Sequence, residues 1–155
     1  MASRVFFSFS SSDISHYYLM KAWKKNPHTD FTFIDYQLPT AIRSENVPYI
    51  KRICKERIDS VSTFVLLIGK DTKSKTTFVK YEVECAVKKG CRLFALNLNN
   101  SRNADNLCTD FIKDLGFVFL PYSQKALIYC LENIPKHEVG KNYILSDATY
   151  RKLGL

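Results

Sequence analysis

Thr63-Phe64-Val65-Leu66-Leu67-Ile68 decides the fold. From Phe64 onward every residue is apolar, with no polar residue at alternate positions. A strand with one wet face alternates, whereas a strand buried on both faces reads as a continuous apolar run. The segment therefore predicts a central strand covered on both sides, ending at Gly69. Four further short runs rich in Val, Ile, Phe and Leu occupy residues 5–9, 31–34, 92–98 and 117–120.

Helical spacing fills the intervals. The first helix is expected over 13–25, capped by Ser12 or Asp13, with Ile14, Tyr17, Tyr18 and Met20 on one broad side and Pro27 beyond its end. A second is expected over 45–58, where Val47, Ile50, Ile53, Cys54 and Ile58 recur at helical intervals and Pro48 is tolerated only in the first turn. A third spans 78–89: Val79, Val83, Ala86 and Val87 form an apolar stripe and Gly90 suits a C-cap. Residues 104–115 and 123–131 are read as a fourth and a fifth. Strand and helix thus alternate five times, which predicts a parallel sheet wrapped on both faces by right-handed crossovers. The expected organisation is one domain over residues 1–135. A tail, 136–155, adds a short helix at 146–153 started by Ser146 or Asp147 and packed on that domain.

Composition is consistent with this reading. The chain has 155 residues, 46% of them hydrophobic and 25% charged. A chain of that length buries roughly 68–70% of its unfolded surface, so disorder is excluded for most of it. No stretch approaches the ~18 uninterrupted apolar residues of a membrane span. The start lacks the order of features of a signal peptide, so a cytoplasmic protein is expected. The five cysteines include no C-x-x-C pair and read as buried free thiols. The three histidines are scattered, so no metal site is expected. Net charge is +8, but the basic residues form short clusters without a nucleic-acid motif. That surface suits small anionic ligands such as nucleotides.

In such sheets ligands bind beyond the carboxyl ends of the strands, where strand order reverses. The exits at that edge are residues 10–13, 35–44, 69–77, 97–105 and 121–122, mostly polar. No phosphate-binding P-loop, G-x-G-x-x-G or G-x-S-x-G motif is present. The informative carboxylate is Glu82, at the flank of the third helix's stripe and four residues after Phe78. Glu82 reads either as a ligand-facing carboxylate near a helix N-terminus or as a solvated helix glutamate. Phe9 with Ser10 and Ser11 reads as a ribose and phosphate contact or as a strand end and helix cap. Asp35-Tyr36 reads as a sugar or base contact or as a turn, and Phe78 as a stacking platform or a core residue.

Taken together these residues resemble a known family. Arg4-Val5-Phe6-Phe7-Ser8-Phe9, followed by Ser10-Ser11-Ser12-Asp13, resembles the first box of TIR (Toll/interleukin-1 receptor) domains. Phe33-Ile34-Asp35 resembles the second strand leading into the long BB loop. Phe78-Val79-Lys80-Tyr81-Glu82 resembles the W-x-x-x-E signature of NAD-cleaving TIR domains, with Phe in place of Trp. The chain is most similar to the bacterial TIR-like domains of Thoeris anti-phage systems, over residues 4–134.

The resemblance implies a flavodoxin-like three-layer α/β domain with a five-stranded parallel sheet. It further implies that Glu82 is catalytic, contacting the ribose of NAD⁺, and that Phe9, Ser10, Ser11, Asp35, Tyr36, Phe78 and Tyr81 bind substrate. NAD⁺ would be the substrate, with no separate cofactor and no metal. The implied partners are further copies through TIR–TIR contacts, a separate effector protein that senses the product, and a phage-derived trigger; neither nucleic acid nor a membrane is implied. The competing reading is a non-catalytic TIR adaptor, with Leu38, Pro39 and Ile42 of the stretch 36–42 as its contact patch.

Overall fold

A computed structural model describes residues 4–23, 32–33, 47–105 and 107–155. The candidates Asp35 and Tyr36, and the proposed contact patch 36–42, lie outside the described residues.

The strands are β1 (Arg4–Ser8), β2 (Thr32–Phe33), β3 (Thr63–Ile68), β4 (Arg92–Asn97), β5 (Val118–Pro121) and β6 (Tyr143–Ile144). The helices are α1 (Ile14–Trp23), α2 (Val47–Asp59), α3 (Val79–Lys89), α4 (Gln124–Asn133) and α5 (Asp147–Lys152). The sheet order is β2-β1-β3-β4-β5-β6, and every pairing is parallel. The five expected strands form the flavodoxin-like sheet. The tail adds a sixth, two-residue strand at the β5 edge, which the sequence reading lacks.

β3 lies at the centre and is buried at all six positions. Its side chains alternate between two cores. Val65 and Leu67 join Phe7, Tyr17, Met20, Leu127 and Tyr150 under α1, α4 and α5. Phe64, Leu66 and Ile68 join Phe6, Ile58, Val79, Val83 and Ala86 under α2 and α3. At roughly 25 cal/mol per Å² of apolar surface removed from water, these two cores dominate the stabilisation.

Helix ends follow local chemistry. Ser123 and Ser146 accept N–H bonds from Ala126 and Thr149 and so cap α4 and α5. Gly90 ends α3 at φ 82°, a left-handed conformation that costs glycine little.

Among the described residues of 104–115 the expected α-helix does not form. Residues Asp110–Ile112 make a single 3-10 turn instead. The upstream segment is fixed by side chains: Asp105 Oδ1 accepts the Leu107 N–H at 2.9 Å, and Asn97 Nδ2 donates to the carbonyls of Ser101 and Asn103 at 2.9 and 3.0 Å. Asn and Asp compete with the helix for backbone groups, and here they win.

Candidate functional site

The carboxyl edge of the sheet carries the expected exits of β1, β3 and β4, and the N-terminus of α3 points to the same edge. Glu82 lies in the first turn of α3, and its N–H donates to the Phe78 carbonyl at 2.8 Å. A carboxylate there is favoured by the partial positive charge of the helix N-terminus. With Val79, Val83 and Ala86 packed on the sheet, the 100° step per residue sets Glu82 between that stripe and the flank carrying Phe78. Phe78 packs against Ile50 and Cys54 of α2, as Ile53 does. The half-buried Glu82 thus lies between the side of α3 that faces the sheet and the side that faces α2.

Tyr81 turns further round the helix. Its ring lies 4.9 Å from the Lys51 ammonium, and burial, with the Cys85 thiol beside it, pushes the phenol up to about 12. Tyr81 shares a cavity of about 250 Å³ with Lys55, Asp59 and Lys88, on the outer α2–α3 seam. It is therefore angularly separated from Glu82 by about one residue step of the helix.

The β1 exit divides between the two faces of the sheet. Phe9 is 8% exposed and stacks on Tyr17 of α1, ring centroids 4.7 Å apart, in the core under α1. Alternation from Phe6 puts Ser8 on the α3 face instead. Ser8 is 1% exposed, and its Oγ has no hydrogen-bond partner. The box that ends in an aromatic points to Phe9 and not to Ser8, whereas counting by two from Phe6 picks out Ser8.

The serines that follow tie β1 to β3. Ser10 is buried and its Oγ lies 3.1 Å from Ser12 Oγ. Ser12 Oγ donates to Asp71 Oδ1 at 2.8 Å, and the hydroxyls of Ser12 and Ser10 hold the Asp71 carboxyl below its usual value. Asp13 is shifted the other way, raised first by burial and then by the charge of Asp71. Ser11 belongs to the 3-10 turn Ser11–Asp13 between them. Thr72 Oγ1 accepts the Gly69 N–H at 2.9 Å and so shapes the β3 exit.

This layout is a flavodoxin-like switch point between β1 and β3, roofed by the first turns of α2 and α3. Residues 6–103 match the family described as Thoeris protein ThsB, TIR-like domain. The chain belongs to the Thoeris TIR-like domain family. No curated protein matches it. The matched residues of the TIR-like domain run from β1 through β4 and include Ser8, Ser10, Phe78, Tyr81 and Glu82. Membership points to a role in anti-phage defence. No helix among the described residues is long and apolar enough to cross a membrane.

Proposed function

We propose that this TIR-like domain is an NAD⁺-processing enzyme that cleaves the nicotinamide–ribose bond. Its product is an ADP-ribose-derived second messenger, cyclic or conjugated, in cytoplasmic anti-phage signalling. The observation that carries the reading is Glu82: a half-buried carboxylate in the first turn of α3, beside Phe78, at the ligand-binding edge of a Thoeris TIR-like domain.

The chemistry needs little else from the protein. As the C1′–N bond breaks, its electron pair leaves with nicotinamide, whose ring nitrogen loses its positive charge. The ribose then carries oxocarbenium character, which the Glu82 carboxylate stabilises. A nucleophile on the substrate closes the bond to C1′ and releases a proton; water in its place gives linear ADP-ribose. A site closed to water when NAD⁺ is bound would favour the former. NAD⁺ is substrate here, with no further cofactor. A separate effector senses the product, and a phage-derived trigger with TIR–TIR association assembles the active form.

A second reading, the non-catalytic adaptor, is favoured by exposed Val47 and Tyr49 at the start of α2, 43% and 41% accessible. These two residues follow the segment that carries the contact patch 36–42.

The deciding measurement is NAD⁺ consumption with mass analysis of the products, by wild type and Glu82→Gln, both purified at high concentration and in lysate of phage-infected cells. The enzyme reading expects a new ADP-ribose species that falls by about 10²–10³-fold in the variant. NAD⁺ untouched by wild type in both settings overturns it in favour of the adaptor.

A further inference from the structure

On the side away from Glu82, a cavity of about 620 Å³ opens between the β3–α3 connection, the first turn of α3 and the β4–β5 connection. Lys73, Lys80 and Lys113 line it, together with Thr76, Thr109 and Phe111. Lys80 and Glu82 share the first turn, but two steps of the helix set them about 160° apart around its axis. The cavity faces β4 and β5, whereas Glu82 borders α2.

Three features make this more than a basic patch. First, three lysines from three separate segments line one concavity. Asp110 supplies the opposing carboxylate and pairs with Lys113 at 2.9 Å; Lys73 and Lys80 form no ion pair among the described residues. Second, Thr109 is 1% exposed, yet its Oγ1 has no hydrogen-bond partner. Thr109 sits at the N-cap position of the 3-10 turn without making the capping bond, so its hydroxyl lies unpaired behind the cavity wall. A buried hydroxyl without a partner is uncommon and calls for an explanation. Third, the adjoining Cys108 thiol is pushed up to about 11 by burial and is neutral, adding no negative charge.

We propose that this cavity binds a small phosphate-bearing molecule, a diphosphate or a nucleotide, at a site separate from that of Glu82. The lysines neutralise the phosphate oxygens and the exposed hydroxyl of Thr76 donates to them; that of Thr109 joins once the ligand displaces the wall that covers it. Phe111 provides an apolar wall. The volume lies within the range of small-molecule sites, which are concave; a nucleic-acid backbone is instead tracked by an extended basic groove or stripe.

The test uses the full chain with inorganic pyrophosphate, ADP and a single-stranded oligonucleotide as probes, followed by calorimetry and amide NMR. Pyrophosphate or ADP is expected to shift amides of residues 73–80 and 108–113. Lys73→Ala/Lys80→Ala weakens binding by on the order of tenfold or more, and Thr109→Val by a smaller factor. Lys136→Ala leaves it unchanged. Lys73 and Lys80 are both exposed, so the double variant keeps the fold, which its melting curve checks. The NMR map serves the same purpose should Thr109→Val perturb packing. Shifts confined to residues 8–13, or affinity indifferent to Lys73 and Lys80, overturn the proposal. So does an oligonucleotide that binds more tightly than either small anion through the same lysines. None of these outcomes depends on NAD⁺ cleavage.

Discussion

The carboxylate of Asp13, at the exit of β1, fills the space beside Gly69, at the exit of β3. A Cβ built on residue 69 would stand 2.6 Å from Asp13 Oδ1 and nearer still to Oδ2. The two strands are adjacent in the sheet, so this contact fixes the spacing of the loops at the switch point.

Gly69→Ala therefore forces Asp13 aside. The carboxylate is the end of a short side chain, already crowded by Asp71, and its displacement pulls on the 3-10 turn that leads into α1. The expected loss is about 1–3 kcal/mol. At about 2–4 °C per kcal/mol for a chain near this size, a thermal melt resolves it. Asp13→Ala in the same background recovers part of the loss. A Gly69→Ala protein as stable as wild type would refute the contact.

Asp13 also sets a pH dependence. Burial first and the Asp71 charge second raise its pKa, with His16 opposing them. The native state then holds this proton at pH values where the unfolded chain has released it. Stability from this group falls as pH rises from the usual Asp range through the raised value, and the penalty is complete above it. Asp13→Asn removes the penalty, so the variant melts above wild type at pH 7. The gap narrows as pH is lowered toward about 4. A gap that does not change with pH removes Asp13 as its source. Asp71 has the opposite sign: its lowered pKa stabilises above the usual Asp value and is lost as pH falls.

Most of the sheet was legible in sequence because its information is local. The run from Phe64 to Ile68 is buried on both faces, and an apolar run is what such burial requires. The α3 stripe and its Gly90 cap were legible for the same reason. The tail strand Tyr143–Ile144 was not, since two residues carry no periodicity and its pairing depends on Phe119 and Val118 being there to receive it. The helix expected over 104–115 failed because Asn97 and Asp105 bind the backbone between them, a contact that composition does not reveal. Of the candidates, Glu82 and Phe78 can be paired from sequence because they lie four residues apart at the start of one helix. The Lys73–Lys80–Lys113 cavity was missed because its parts come from segments joined only by folding.

The five thiols give a simple check of the packing. All are free and buried, and burial pushes Cys108 up to about 11 and Cys130 up to about 12. At pH 8 a thiol with a pKa near 11 is thiolate in only about one part in a thousand. Native protein should react with dithio-bis-nitrobenzoate at least ~100-fold more slowly than denatured protein, which yields all five thiols. One fast native equivalent would show that a cysteine of this set is accessible.

Tyr150 tests how far the tail belongs to the domain. Its ring is 1% exposed in the α1–α4 core, with the Arg102 guanidinium 4.1 Å above it, while its hydroxyl is buried without a partner. The ring and the hydroxyl should thus have opposite effects. Tyr150→Ala opens a large cavity and costs about 3–5 kcal/mol. Tyr150→Phe keeps the ring and removes a polar atom that makes no bond, so stability stays level or rises by up to about 1 kcal/mol. Removing residues 136–155 goes further. It deletes β6, the Gly116 N–H bond to Lys141 O at 3.0 Å and the Tyr143 N–H bond to Phe117 O at 3.0 Å, and it exposes Leu127 and Val118. Urea titration of the three variants separates the outcomes. A truncated chain as stable as wild type would make the tail an appendage, whereas a loss at least as large as that of Tyr150→Ala makes it the last layer of the fold.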